Sequence, residues 1–430
     1  MRSPQVGSVL AVLLLSPLVA SAHDQPPVPP QVAPPGAPAQ PATGDAAKLE
    51  AEIAKELGQG APAGSTPGAG AAQAPAAAPA PAPGAQAQAA TGGSPLARLL
   101  LLPDISAIGS GALAYDSYDV EARSPREDLH GHPGRPTFLF DELELGLQAV
   151  VDPYVRADVF LSFNEHGAGI EEAYVTTLTL PASLQVRAGR FFTPFGRLNT
   201  QHPHTWDFVD APLVRSRLLA GDALAGPGVD VAWLAPLPWF AELRLAAQNT
   251  TAAQSSTQEL TGTARLSQFF QLSDAATLGV GLSAARRGEG HGGEFRDLGG
   301  ADAYLRYRPV AGRAYVTLQG EVYARHYRDV PEAPRGTDDG WWLQAFLRQS
   351  PWWGYGVRYD QAPAAATVDG VETFPGGDER RVGGVLVYYP SEFLRLRLQG
   401  SYDHRPAGQD GLEALLHVEF VMGAHGAHPF

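Results

Sequence analysis

"ELELGLQAVVDPYVRADVFLS" occupies residues 142–162, and its alternation decides the fold. Leu143, Leu145, Leu147 and Ala149 fall on one parity, with Glu142, Glu144 and Gln148 on the other. After a turn at "VDPY", Val155, Ala157, Val159 and Leu161 alternate in the same way with Arg156, Asp158 and Ser162. A period of two marks a half-buried strand, and two such runs joined by a short Asp-Pro turn read as an antiparallel hairpin.

The same period recurs in "AELRLAAQ" (241–248), "ADAYLRYR" (301–308), "VTLQGEVYAR" (316–325), "WLQAFLRQ" (342–349) and "LRLRLQGSY" (394–402). Short turns at "VDPY", "LPAS", "APLPW", "QLSDA", "PVAGR", "SPWW" and "YPSE" alternate with longer polar loops such as "RRGEGHGGEFRD" (286–297) and "RHYRDVPEAPRGTDDG" (325–340). A soluble sandwich has no reason to segregate its connections in this manner. A transmembrane barrel has short turns at its periplasmic end and long loops outside. Seven short turns and eight longer loops join sixteen strands, so the sequence predicts an all-β, closed antiparallel barrel with both ends of the strand region on the short-turn side. Its weakest strand signal is the segment 105–115. Trp239, Phe240, Trp352, Trp353, Tyr388, Tyr389 and Phe393 flank the short turns, where an aromatic girdle meets the membrane interface.

Which parity faces lipid then follows from charge. Arg156, Arg187, Arg244, Arg306, Arg308, Arg325, Arg348, Arg358, Arg395 and Arg397 share one face with Glu142, Glu144, Asp158, Glu242, Asp302, Glu321, Asp360 and Glu419. A charge at mid-depth on the lipid face costs about 2–4 kcal/mol, so this face points into the lumen, and an interior so polar is expected to hold water.

Composition bounds the rest. A formal charge of −14 and the absence of cysteine argue against a nucleic-acid partner and against disulfide stapling. Residues 1–22 read as a secretory signal peptide: a basic Arg2, an apolar run, and Ala20-Ser21-Ala22 at the cleavage site. Residues 23–95 are Ala, Pro, Gly and Gln with few large apolar side chains, the composition of a disordered periplasmic tether; a short helix is predicted over 45–57. The barrel is assigned to 96–430, and the terminal Phe430 is the kind of residue that outer-membrane assembly reads.

One segment breaks the alternation. "GRFFTPFGRLNTQHPHTWDFVD" (189–210) opens a stretch without period two that runs to about Pro227, joining the fifth strand to the sixth. A connection of that length inside a compact fold is most often functional. It carries Arg190, Arg197, His202, His204, Asp207, Arg215 and Arg217 among five aromatic side chains, Phe191, Phe192, Phe195, Trp206 and Phe208, which are costly to leave in solvent. The expectation is a loop folded into the lumen, its arginines facing water opposite acidic wall residues.

"EEAYV" (171–175) followed by "LQVRAGRFFTPFGRLN" (184–199) resembles the phosphate-selective porin superfamily, the porin O and P type. The fuller "RFFTPFGRLNTQHPHTWDFVDAPLVRSRLLAG" is similar to a branch often labelled zinc-regulated outer-membrane proteins. The resemblance implies a bacterial outer-membrane porin: a trimeric, water-filled channel for small hydrophilic or ionic solutes, whose third loop sets selectivity. Phosphate-selective members use a lysine cluster at the constriction, whereas this chain has no lysine beyond Lys55. Arginine holds oxyanions bidentately and releases them less readily, so a general or mildly anion-preferring pore is expected rather than a phosphate-specific one.

Two alternatives stay open. His202/His204 and His130/His132 are H-x-H pairs, with His425 and His428 near the end; alternate residues of an extended segment point the same way and could hold zinc, given a third ligand such as Asp207. This is the only cofactor suggested, and it would make the chain a metal-linked uptake channel. A barrel enzyme needs a nucleophile beside an oriented base, and neither "GxSxG" nor a convergent Ser/His/Asp pattern occurs. The length of the barrel region and the lack of a foldable plug argue against an active, plugged transporter.

Overall fold

The computed structural model describes residues 103–117, 136–165, 167–219, 223–251, 258–287, 295–309, 313–327, 337–364, 366–368, 371–373, 377–406 and 410–423. The signal peptide, the tether with its helix, His130/His132 and the His-containing tail ending at Phe430 lie outside these residues.

Sixteen antiparallel strands close into a barrel, as the alternation predicts. Thirteen run in order from β1 (Asp104–Asp116) to β13 (Trp353–Pro363), and three more, β16 (Asp378–Ser391), β17 (Leu394–His404) and β18 (Gly411–Gly423), complete the wall. A small hairpin, β14–β15 (Ala366–Val368 and Val371–Thr373), stands in the loop between β13 and β16. The segment with the weakest signal is β1, and it pairs on both sides: Ile108 lies opposite Val421 of β18 and opposite Glu144 of β2 (Thr137–Asp152). That seam satisfies the last open strand edges, which is why a closed barrel can stand in lipid.

Most strands split by parity. Leu282, Val357, Leu398 and Leu416 are about half exposed and form an outward apolar surface, while Asp302, Arg265, Arg358 and Glu419 on the other parity are buried inside. Trp239, Phe240, Trp352, Trp353 and Phe393 are exposed beside the short turns, as a girdle requires. Tyr389 differs. It packs against the buried cluster of Phe208, Phe346, Val385 and Val387 and lies beneath the Arg348 guanidinium.

One connection is shorter than expected. β3 (Val155–Asn164) returns into β4 (Gly167–Thr177) with Asn164 opposite Gly167, so only residues 165–166 join them. Gly167 has φ +137°, a conformation L side chains rarely adopt, and this lets the chain reverse within two residues.

Candidate functional site

The stretch after β5 (Leu184–Phe192) does fold inward. It includes two short 3-10 turns and a six-residue helix, Leu213–Leu218, before re-entering the wall at β6 (Ala225–Leu234). Asn199 ties its two ends together: the side-chain amide donates to the carbonyls of Thr193 (2.9 Å) and Leu224 (3.0 Å), and its oxygen accepts the Leu224 N–H at 2.9 Å. Phe191, Phe195, Trp206 and Phe208 are buried, on the order of 1.5–3 kcal/mol each relative to exposure.

Polar groups of the distant wall fix the loop's path. Glu321 on β11 (Tyr315–Tyr327) accepts the backbone N–H of Arg197 at 2.6 Å and of Leu198 at 2.8 Å, and also the Tyr323 hydroxyl. Ser283 on β9 (Ala276–Arg287) accepts the N–H of Gly196 at 3.0 Å. Gly196 sits at φ +63°, and a Cβ there would come within 2.6 Å of the Tyr323 oxygen. Further along, Arg397 donates to the carbonyls of Trp206 and Phe208, both at 3.0 Å, and Arg395 to those of Trp206 (3.0 Å) and His204 (2.5 Å). Asp210 receives Arg358 at 2.7 Å, Arg381 at 2.8 Å and the Gln399 amide at 2.5 Å. Burial alone would push the Asp210 carboxyl up; Arg358 and Arg381 overcome it and hold its pKa at about 2.

The arginines expected to face water divide into distinct groups. Arg215 and Arg217 do not face it: both side chains are buried, Arg215 lying over the Trp206 ring and Arg217 donating to Glu379 at 2.6 Å. Arg325 donates to the Arg217 carbonyl at 2.6 Å, capping the same helix. These are anchors of the loop. Arg190 is not part of the inward fold either. It pairs with Pro227, on the face shared with the exposed Val229 and Val231, and its Nε donates to the Ile170 carbonyl. Arg187, three residues earlier, has the inward parity, opposite Asp230.

Of the expected lumen residues, Arg156 pairs with Asp158, Arg187 and Arg244 with Asp230, Arg244 also with Glu242, Arg325 with Asp338, and Arg395 and Arg397 with Glu419. Three are held otherwise. Arg197 lies over the ring of Tyr304 (4.2 Å to the centroid), Arg306 over Tyr315 (4.5 Å) and Arg348 over Tyr389 (3.3 Å). Among the described residues no carboxylate comes within ion-pairing distance of these three. Arg348 is directly opposite Tyr315 in the ladder between β11 and β12 (Thr337–Arg348), so two of the stacks share one tyrosine's neighbourhood.

The histidine pair does meet acidic groups, though not the one expected. Asp207 accepts the Gln344 amide at 2.8 Å and faces Arg395 and Arg397; burial raises its pKa to about 6 against their pull. The acidic neighbour of both histidines is instead Glu144, with Glu171 and Glu172 also at His202. Burial would lower the His202 pKa, but the hydrogen bonds to these carboxylates raise it well above the ordinary value. Glu171 and Glu172 escaped sequence reasoning because neighbouring strand residues ordinarily face opposite ways.

A closed barrel of sixteen strands, apolar outside and charged inside, with one connection folded across its interior, has the architecture of a porin-type transmembrane barrel. No family model matches the chain. It belongs to the same family as a protein of Aquifex aeolicus (strain VF5) described as uncharacterized, 30% identical over 387 residues, spanning 78% of this chain and 82% of that one. Among solved structures, the fold is similar to that of the outer membrane channel DcaP of Acinetobacter baumannii, with TM-score 0.50 and 11% identity over 74% of this chain and 97% of that one. It is also similar to Pseudomonas putida OprB, with TM-score 0.51 and 10% identity over 77% and 97% of the two chains.

Proposed function

We propose that the protein is a passive channel for small hydrophilic ions, with a preference for anions set by cations on the inward loop, β10 (Phe295–Tyr307) and β12. The supporting observation is the three arginine–tyrosine stacks. Elsewhere in the lumen most arginines are neutralised by a carboxylate or spent on the loop's carbonyls. Arg197, Arg306 and Arg348 have no carboxylate beside them and keep a net positive charge on a half-buried surface, Arg348 also donating to the turn carbonyls of Ser350 and Pro351; a cation held on an aromatic face there stays available to a passing anion. A ring of fixed cations raises local anion concentration without the tight bidentate capture that would stop conduction. This suits mildly selective conduction better than phosphate-specific uptake. The trimer implied by the porin resemblance belongs to this proposal as well.

The test is the reversal potential of single channels in a salt gradient. Replacing Arg197, Arg306 and Arg348 together with Gln should move it toward the cation side while the barrel still inserts. An unchanged reversal potential in that triple variant would overturn the anion preference, and failure of the wild-type chain to conduct would overturn the channel itself.

A further inference from the structure

β4 carries one residue more than β3 requires. Phe160 lies opposite Glu172 and Leu161 opposite Ile170, which leaves Glu171 as the extra residue of a β-bulge. Bulges re-aim side chains, and this one lets two consecutive carboxylates reach the same imidazole. Glu172 Oε2 stands 2.9 Å from Nε2 of His202, and Glu171 Oε2 stands 3.3 Å from its Nδ1. From β2, Glu144 Oε2 approaches that same Nδ1 at 2.8 Å and Nδ1 of His204 at 3.4 Å. One ligand atom from each of Glu144, His202 and His204 lies within 4.8 Å of the others.

We propose that His202, His204, Glu144 and Glu171 form a binding site for one divalent transition cation of the zinc or cobalt class, stapling the inward loop to β2 and β4. Tetrahedral bonds of about 2.0–2.1 Å place neighbouring donor atoms about 3.3–3.4 Å apart. Among these ligands, Glu171–His202 and Glu144–His204 already have that length, and Glu144–His202 opens by about half an ångström as an ion enters. Glu172 takes the outer role. It accepts the Nε2–H of His202, which fixes the tautomer and turns the Nδ1 lone pair toward the ion. Two nitrogen and two oxygen donors select against calcium and magnesium, which ask for six or more oxygens. The rings of Phe160 and Phe192, each 4.8 Å from that of His202, supply an apolar shell, and Glu171, with 19% of its side chain exposed, is the ligand an arriving ion meets.

The experiment uses the full chain in detergent micelles, stripped with chelator and titrated with cobalt. Expected are the strong visible bands of tetrahedral cobalt, saturating at about one ion per chain and displaced by zinc but not by calcium. His204→Ala should abolish the bands, and Glu172→Gln should weaken binding about 10–100-fold. Heat-modifiable migration in gels verifies that each variant is a folded barrel; Glu144→Gln serves where His204→Ala does not fold. Absence of the bands at excess cobalt, their survival in a folded His204→Ala or Glu144→Gln barrel, or equal displacement by calcium would overturn the site. Reversal potentials in metal-free buffer test conduction separately, so the two readings fail independently.

Discussion

Glu321 fixes the first part of the loop, as Arg395 and Arg397 fix its middle. Its carboxylate accepts two consecutive backbone N–H groups of the loop, and removing it orphans both inside the barrel. At about 1–3 kcal/mol for each orphaned donor, Glu321→Ala should release the Arg197 end, seen as larger, noisier conductance and protease cleavage near residue 197. Arg217→Ala acts differently: it removes one partner of a buried pair, a change that ordinarily costs about 3–5 kcal/mol. Its expected signature is lowered thermal stability of the folded barrel, with Arg405 sharing Glu379 and softening the loss. Asp207 supplies the pH dependence. With a pKa of about 6, it is ionised above that pH and neutral below, facing Arg395, Arg397, Arg197 and Gln344. Anion preference should therefore rise as pH falls through about 6, and Asp207→Asn should flatten that change when the two proteins are compared. Because its folded pKa is raised, the native state holds the extra proton; loop docking weakens as pH rises from 3.8 to about 6. The sequence showed which residue types line the lumen, since parity and lipid exclusion dictate it. It could not show that Arg217 and Arg358 serve the loop, because their partners arrive about 150 residues away in the chain.

At the scale of elements, the β4–β5 seam is the wall's thinnest. Its ladder runs only from Ala173–Arg190 to Thr176–Arg187, and in its middle Gly189 adopts φ +139°. A Cβ there would meet the Ala173 carbonyl oxygen at 2.2 Å and Tyr174 Cα at 2.6 Å. Gly189→Ala should therefore part this seam and lower the yield of heat-modifiable barrel, whereas Gly262→Ala, where the added carbon meets nothing within 4 Å, should be tolerated. Most strands were legible because each has one wet and one oily face. The two-residue β3–β4 connection and the bulge at Glu171 were not, since both are backbone events that leave the composition of the segment unchanged. The bulge is the costlier omission, as it brings two neighbouring carboxylates to one histidine.

For the molecule as a whole, the closing β1–β18 seam begins at Ser106, so the wall closes within the described residues. Deleting residues 25–93 while keeping the signal sequence should leave insertion and heat-modifiability intact; loss of the folded band would assign that segment a structural role. The loop has a different dependence. Its carbonyls and its Asp210 are gripped by Arg358, Arg381, Arg395, Arg397 and Gln399, which stand on β13, β16 and β17, near the end of the chain. During synthesis and insertion, the segment 193–224 therefore waits for strands made much later before it can settle. A barrel stalled before its last strands close would carry an undocked loop, so the interior takes its final shape only in the finished molecule.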